Sequence, residues 1–171
     1  MKLLRLLATA LTLSFFTARL AAEGHTAEEM ATWKKASSNH IVAQKIVNDL
    51  MAAHPEVLII GIHGTAPGAK SGTMIATNLD RVGKVSDEDD NAVADDHRII
   101  LELNKTDPNR YEVLIWMKDA TGKGLNAAVG FVLKYTGRES DVEMLTKGVA
   151  LRDELAKKIP TWEAIFAPAK L

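Results

Sequence analysis

The residues whose types and spacing could bind a small molecule lie at position 63 and between positions 78 and 84. Asn78 lies at the end of a predicted strand, and Arg81 and Lys84 flank Gly83 in the predicted loop that follows. An arginine can hold a carboxylate through two parallel hydrogen bonds, and a nearby lysine adds a positive charge. We therefore expect a small-molecule ligand here, with a carboxylate as one candidate. The alternative is an exposed turn whose basic residues offset the acidic residues that follow.

The five histidines, at positions 25, 40, 54, 63 and 97, show no spacing typical of a metal-ligating pair. His63 ends an apolar segment beside a glycine-rich loop, and it is the histidine best suited to face a pocket. His97 follows two aspartates, and a carboxylate beside an imidazole can orient a general base or a haem ligand. A histidine at a strand end is more often structural or solvated. Haem binding is therefore an alternative that no residue pattern requires.

Two aromatic residues complete the set of candidate ligand contacts. Tyr111 and Trp116 lie in a segment that predicts a strand. Either residue could line a pocket, and either could equally belong to the hydrophobic core.

Six acidic residues lie between positions 87 and 96. Calcium requires six to eight oxygen ligands, but this spacing lacks the calcium-loop pattern and its central glycine. Carboxylates in the first turn of a helix are stabilised by the helix dipole. We expect these residues to begin a helix, and we predict no metal site.

The sequence shows no arrangement typical of an enzyme. The glycines form no phosphate-binding loop, and no serine lies in a nucleophile-elbow context. The chain has no cysteine, which excludes disulfides and thiol catalysis. With 21 basic against 22 acidic residues, no general attraction to nucleic acid is expected. We predict a non-enzymatic protein without a cofactor.

The first 22 residues are typical of a secretory signal peptide. Lys2 and Arg5 precede an apolar run over residues 6–16, and small residues lead to a predicted cleavage site after Ala22. The alternative is an uncleaved anchor, but the apolar run is short for a membrane span and Arg19 interrupts its extension. We expect a periplasmic or secreted bacterial protein that does not insert into the membrane after cleavage.

Hydrophobic periodicity and turn residues predict the elements of the mature chain. A capping box from Thr26 to Glu29 begins a helical pattern that fits either one helix or two helices meeting near Asn39. A short helix follows a capping box at Ser86, and a last helix covers residues 140–158. Strands are predicted over residues 57–63, 73–79, 98–104, 111–118 and 125–135.

This order of elements predicts an α+β fold in which five strands form one antiparallel sheet. The N- and C-terminal helices cover one face of the sheet. The segment after the second strand covers the other face and encloses a pocket. We expect one domain over residues 26–160 and a C-terminal tail over residues 161–171.

The chain resembles a known family in two motifs. Residues 75–78 (IATN) and 81–84 (RVGK) are similar to the "I-A-[ST]-N … R-[IV]-G-[KR]" region of extracytoplasmic Cache sensor domains, which are relatives of PAS domains. Residues 54–60 are similar to the family's "H-P-E-V-x-x-I" junction. The resemblance covers residues 28–158 in the order of elements. It implies a PAS/Cache-like (profilin-like) fold with a ligand pocket beneath the segment after strand two.

The sequence departs from the family in one respect. Cache sensors usually lie between two transmembrane helices and precede a signalling module, whereas this chain has one removable leader and no output domain. We therefore expect a stand-alone, sensor-like binding protein. The alternatives are a haem-binding or other cofactor-binding protein, or an accessory subunit that docks onto a membrane-bound sensor or transporter.

Overall fold

The computed structural model describes residues 25–169, and it divides the chain into two compact units with the boundary between Trp33 and Lys34. In the first unit, α1 (Ala27–Thr32) begins with the predicted capping box. The Glu29 amide donates to Thr26 Oγ1 at 3.1 Å, and the Thr26 amide donates to Glu29 Oε2 at 2.8 Å. The predicted signal peptide lies outside the described residues. Within residues 25–169, no helix is long and apolar enough to span a membrane.

The second unit contains three α-helices and five strands among its described residues. The helices are α2 (Val42–Ala53), α3 (Glu88–Asp96) and α4 (Asp141–Ala156). Short 3-10 helices cover Ala36–Ser38 and Glu163–Phe166. The strands are β1 (Val57–Gly64), β2 (Thr73–Thr77), β3 (Ile99–Leu103), β4 (Arg110–Lys118) and β5 (Gly124–Lys134).

The five strands form one antiparallel sheet in the order β2-β1-β5-β4-β3. The last strand in sequence, β5, therefore lies at the centre and pairs with the first strand. The predicted fold class is confirmed: the protein is α+β, with a five-stranded antiparallel sheet and helices packed on it. The predicted strands agree with the observed ones to within two residues at each end.

One face of the sheet carries the main hydrophobic core. Alternate residues of the three central strands point to this face, as the period of two in a strand requires. Helices α2 and α4 cover them, so the prediction that N- and C-terminal helices share one face is confirmed. The fully buried members include Ile60, Ile62, Val113, Ile115, Val129, Phe131, Val47, Leu50, Met144 and Leu155.

The opposite face is covered by α3, the helix that follows strand two. Val93 and Ala94 of this helix pack against Leu114 of β4 and Ala128 of β5. The apolar cluster here is much smaller than the core on the other face. Ile100 and Trp116 also pack against this cluster, and polar side chains of α3 and β1 lie beside it.

The structure differs from the sequence predictions at three places. The helical pattern before residue 53 is interrupted over residues 33–41, so the alternative with two helices is the correct one. The cap of α3 is Asp87 rather than Ser86, because the Asp87 side chain accepts from the Asp90 amide. Residues 161–169 belong to the domain rather than to a tail: Ile165 is buried, and the Val42 amide donates to the Ala167 carbonyl at 2.9 Å.

Helix α4 packs unusually close to β4 at Gly148. A methyl group added at this position would lie 2.4 Å from Val113 Cγ1. We predict that Gly148→Ala lowers the free energy of unfolding by about 1–3 kcal/mol, because overpacking outweighs the better helix propensity of alanine. Urea denaturation measures this change. In a Val113→Ala background the cost should fall, and an unchanged cost would show that the two residues are not coupled.

A polar cluster between the sheet and helix α3

The sheet face beneath α3 has a floor of two paired glycines. Gly61 of β1 and Gly130 of β5 lie directly opposite each other in the two central strands. A methyl group at Gly61 would lie 3.2 Å from His63 Nε2, and one at Gly130 would lie 3.4 Å from Glu112 Oε1. The glycines therefore allow the side chains of His63 and Glu112 to approach the backbone from opposite sides.

The imidazole of His63 is bonded to a carboxylate of α3. His63 Nδ1 lies 2.9 Å from Asp90 Oδ2 and 3.4 Å from Ser86 Oγ. His63 is 5% exposed and Asp90 is 6% exposed, so solvent screens this pair weakly. His63 Nε2 has no hydrogen-bond partner among residues 25–169. The imidazole therefore presents one unpaired nitrogen above the glycine floor.

The start of α3 positions Asp90. Asp87 and Asp90 form a reciprocal capping box. The Asp87 amide donates to Asp90 Oδ2 and the Asp90 amide donates to Asp87 Oδ1, each at 3.1 Å. Lys84 Nζ lies 3.3 Å from Asp87 Oδ2. These hydrogen bonds, together with the charge of Lys84, lower the pKa of Asp87 even though burial opposes the change. The capping box thus fixes the position of the Asp90 carboxylate, which also binds His63 Nδ1.

Glu112 of β4 is the second unpaired group. Its carboxyl has no hydrogen-bond or ion-pair partner among the described residues, and no ion pair joins it to His63. Burial raises its pKa, and the charges of Asp90 and Glu102 raise it further. Glu102 lies directly opposite Glu112 on β3, an arrangement of like charges that is unfavourable in a sheet. Together, His63, Ser86, Asp90 and Glu112 form the polar cluster.

The residues predicted from the loop have mixed positions. Asn78 hydrogen-bonds the backbone of β1, accepting from the Ile60 amide at 2.9 Å and donating to the Leu58 carbonyl at 3.0 Å. The Asn78 side-chain amide therefore continues the hydrogen bonding of β1 beyond the end of β2. Lys84 supports the cap of α3 through Asp87. Arg81 is half-buried in the turn between β2 and α3, where its carbonyl accepts from the Lys84 amide at 3.0 Å.

The two aromatic candidates do not share a site with one another. Tyr111 lies on the main-core face, where its hydroxyl donates to Asp141 Oδ1 at 2.6 Å. Burial and this carboxylate raise the pKa of Tyr111 to about 12. Trp116 lies on the same face as the polar cluster, but near the other end of the strand. It stacks on His97 at 5.5 Å, and the Arg152 guanidinium lies 5.5 Å from its ring.

The aspartate–histidine pair expected at His97 occurs elsewhere. His97 ends α3 in a left-handed conformation (φ 56°) and is exposed apart from its contact with Trp116. The buried pair is His63 with Asp90. Sequence spacing could not show this, because a crossing from β1 to α3 brings the two residues together.

A second polar group lies near the opposite end of the domain. His54 Nε2 lies 2.8 Å from Glu154 and Nδ1 lies 3.1 Å from Glu56, and hydrogen bonds to the two carboxylates raise the pKa of His54. These residues border a shallow cavity of about 180 Å³ with Leu133 and Leu151 in its wall. Both imidazole nitrogens are paired here. His54 therefore links the end of α2 to α4.

Sequence reasoning missed Glu112, Asp90 and the paired glycines. Glu112 has a usable signal, since it is a charged residue between apolar neighbours on a strand whose two faces are both covered. The glycine pair has no such signal in the sequence, because Gly61 and Gly130 become neighbours only through the register between β1 and β5. The sequence pattern around Asp90 indicates only a helix start.

Comparisons with known proteins give no family. No family model and no curated protein matches the chain. Among solved structures, the repressor BlcR of Agobacterium tumefaciens is similar at 11% identity, with 70% of this chain and 67% of that one covered and a TM-score of 0.44. With TM-scores below 0.5, neither this likeness nor the two that follow supports a conclusion about function.

The other two similar structures are named as a regulator domain and an enzyme. A domain of a putative transcriptional regulator of the IclR family has 12% identity, coverages of 76% and 99%, and a TM-score of 0.45. A type II free methionine-R-sulfoxide reductase from Thermoplasma acidophilum has 16% identity, coverages of 74% and 98%, and a TM-score of 0.36.

We predict that Glu112→Gln raises the free energy of unfolding at neutral pH by about 1 kcal/mol, because it removes a half-buried charge that has no partner among the described residues. The folded-state pKa of Glu112 lies above its unfolded value, so ionisation destabilises the wild type as pH rises through the folded-state pKa. The advantage of the variant should therefore vanish below about pH 4, where both states are protonated. Urea denaturation across pH measures this.

Glu102→Gln is the matched control, because Glu102 is half-exposed and its carboxylate lies 2.8 Å from Lys105. Its effect should remain within about 0.5 kcal/mol. A loss of stability in Glu112→Gln at neutral pH would mean that the carboxylate has a stabilising partner.

Proposed function

We propose that the protein is a non-catalytic, sensor-like domain that binds a small molecule between the sheet and the segment of residues 78–97. The observation that carries this proposal is the pair of unpartnered polar groups, His63 Nε2 and the Glu112 carboxyl, between the sheet and α3. Both groups lie against the same pair of glycines, and convergent polar groups are what fixes the orientation of a bound ligand. Perturbed, unpaired groups are most common where a ligand completes the bonding.

A hydrolytic function is less consistent with the geometry. Ser86, His63 and Asp90 are the residue types of a catalytic triad. In a triad, the carboxylate and the serine contact different imidazole nitrogens, so that the ring can pass a proton between its two sides. Here both Ser86 and Asp90 face Nδ1. His63 therefore lacks a nitrogen with which to activate Ser86 while Asp90 holds it.

A thermal-shift screen of amines, amino acids and carboxylates tests the binding function. We expect at least one compound to raise the melting temperature by mass action. Gly130→Ala should weaken that effect. Its methyl group would lie 3.4 Å from Glu112 Oε1 and Leu114 Cδ1, which the fold tolerates, but it would occupy space beside Glu112 that the ligand needs. Asp49→Asn, in helix α2 on the opposite face of the sheet, should respond like the wild type. If no compound stabilises the protein, or if Gly130→Ala responds fully, the site is wrongly assigned.

Haem binding is a second candidate, because an imidazole held by a carboxylate at one nitrogen and unpaired at the other is typical of a metal ligand. Haemin belongs in the same screen. A Soret band that is lost in His63→Gln would favour this candidate, and the absence of a band in the wild type would exclude it.

We also propose export to the periplasm or the cell exterior, supported by the composition of residues 1–22. Expression in a bacterial host should yield a mature protein that begins at Glu23, because small residues precede this position. N-terminal sequencing of the periplasmic and secreted fractions measures this. A full-length product in the cytoplasm would contradict export.

A further inference from the structure

We propose that the ligand carries a protonated amine, which His63 Nε2 and the Glu112 carboxylate bind together. This inference rests on the proposed function, because it assigns a chemical class to the ligand of that site. It differs from the carboxylate expected from Arg81 and Lys84 in the sequence.

The two unpaired groups have the same hydrogen-bonding requirement. An ionised carboxylate can only accept hydrogen bonds. A neutral imidazole whose Nδ1–H donates to Asp90 can only accept at Nε2. Both groups above the glycine floor therefore require a donor. An ammonium group supplies three donors, whereas a carboxylate supplies none.

The charge around the site also favours a cation. Asp90 and Asp87 face Glu112 from α3, Glu102 faces it from β3, and His63 faces it from β1. Lys84, the basic side chain at the start of α3, is bonded to Asp87. A cationic ligand reduces the repulsion among these carboxylates, whereas an anionic ligand increases it. Among these carboxylates Asp90 is buried, so solvent screens its charge least.

Two apolar side chains also lie beside the polar groups. A methyl group at Gly61 would lie 3.4 Å from Met74 Cε, and one at Gly130 would lie 3.4 Å from Leu114 Cδ1. Apolar atoms thus flank the two polar groups. An amine on an apolar body matches this combination, because burying the apolar part contributes affinity while the polar groups fix its orientation.

The effect of the polar group can be compared with three probes that share a phenyl ring: benzylamine, benzyl alcohol and benzoate. Each is titrated into the isotope-labelled full-length protein while the amide signals of Gly61 and Gly130 are followed by NMR. We expect benzylamine to shift both signals saturably, with benzyl alcohol and benzoate at least tenfold weaker. Glu112→Gln should lower the affinity for benzylamine about tenfold or more, the effect of losing a charge-assisted hydrogen bond.

Asp49→Asn is the control for charge alone, because Asp49 lies on α2 at the opposite face of the sheet and pairs with Lys45. It should change the affinity by less than threefold. If benzoate or benzyl alcohol binds at the glycines as tightly as benzylamine, the amine inference fails while the binding function stands. The amine inference also fails if Glu112→Gln leaves benzylamine binding intact. If none of the probes and no compound of the wider screen shifts Gly61 and Gly130, both proposals fail.

Discussion

The hydrogen-bonded pair of His63 and Asp90 is the interaction on which the half of the structure covered by α3 depends. It joins the centre of the sheet to the helix that covers it, across a layer with few apolar contacts. The reciprocal cap with Asp87 fixes Asp90 within its helix, and Lys84 supports that cap in turn. Neutralising either partner of the buried pair would leave the other polar group unsatisfied, which is more costly than losing an exposed ion pair.

The two faces of the sheet have different tasks. The face under α2 and α4 is filled by large apolar side chains and supplies the hydrophobic stabilisation of the domain. The face under α3 instead holds glycines, a buried imidazole and an unpaired carboxyl. Such a layer contributes less stability than an apolar one of the same size, and it supplies the polar groups that the proposed function requires. The stable core on one face is what allows this polar layer on the other.

Much of the fold could be predicted from the sequence, because alternating apolar residues, capping boxes and turn residues are local signals. The antiparallel sheet, the helices on one face and the covering role of the segment after strand two all follow from such signals. The site could be predicted only in part. His63 is identifiable from its place at a strand end, and Lys84 supports the cap of the covering helix. The Cache-like residue Asn78, however, has its amide bonded to the backbone of β1. Glu112, Asp90 and the glycine pair meet His63 only through tertiary register, which one sequence does not encode locally.

The central claim is that Glu112 is a half-buried carboxyl without a partner among the described residues, placed above the glycine floor for a ligand. The titration of its side-chain carboxyl carbon, followed by carbon-13 NMR in the ligand-free protein, tests this directly. We predict a pKa above the ordinary value for glutamate, because burial and the charges of Asp90 and Glu102 raise it. A pKa at or below the ordinary value would show that Glu112 is solvated or paired, and would contradict the account.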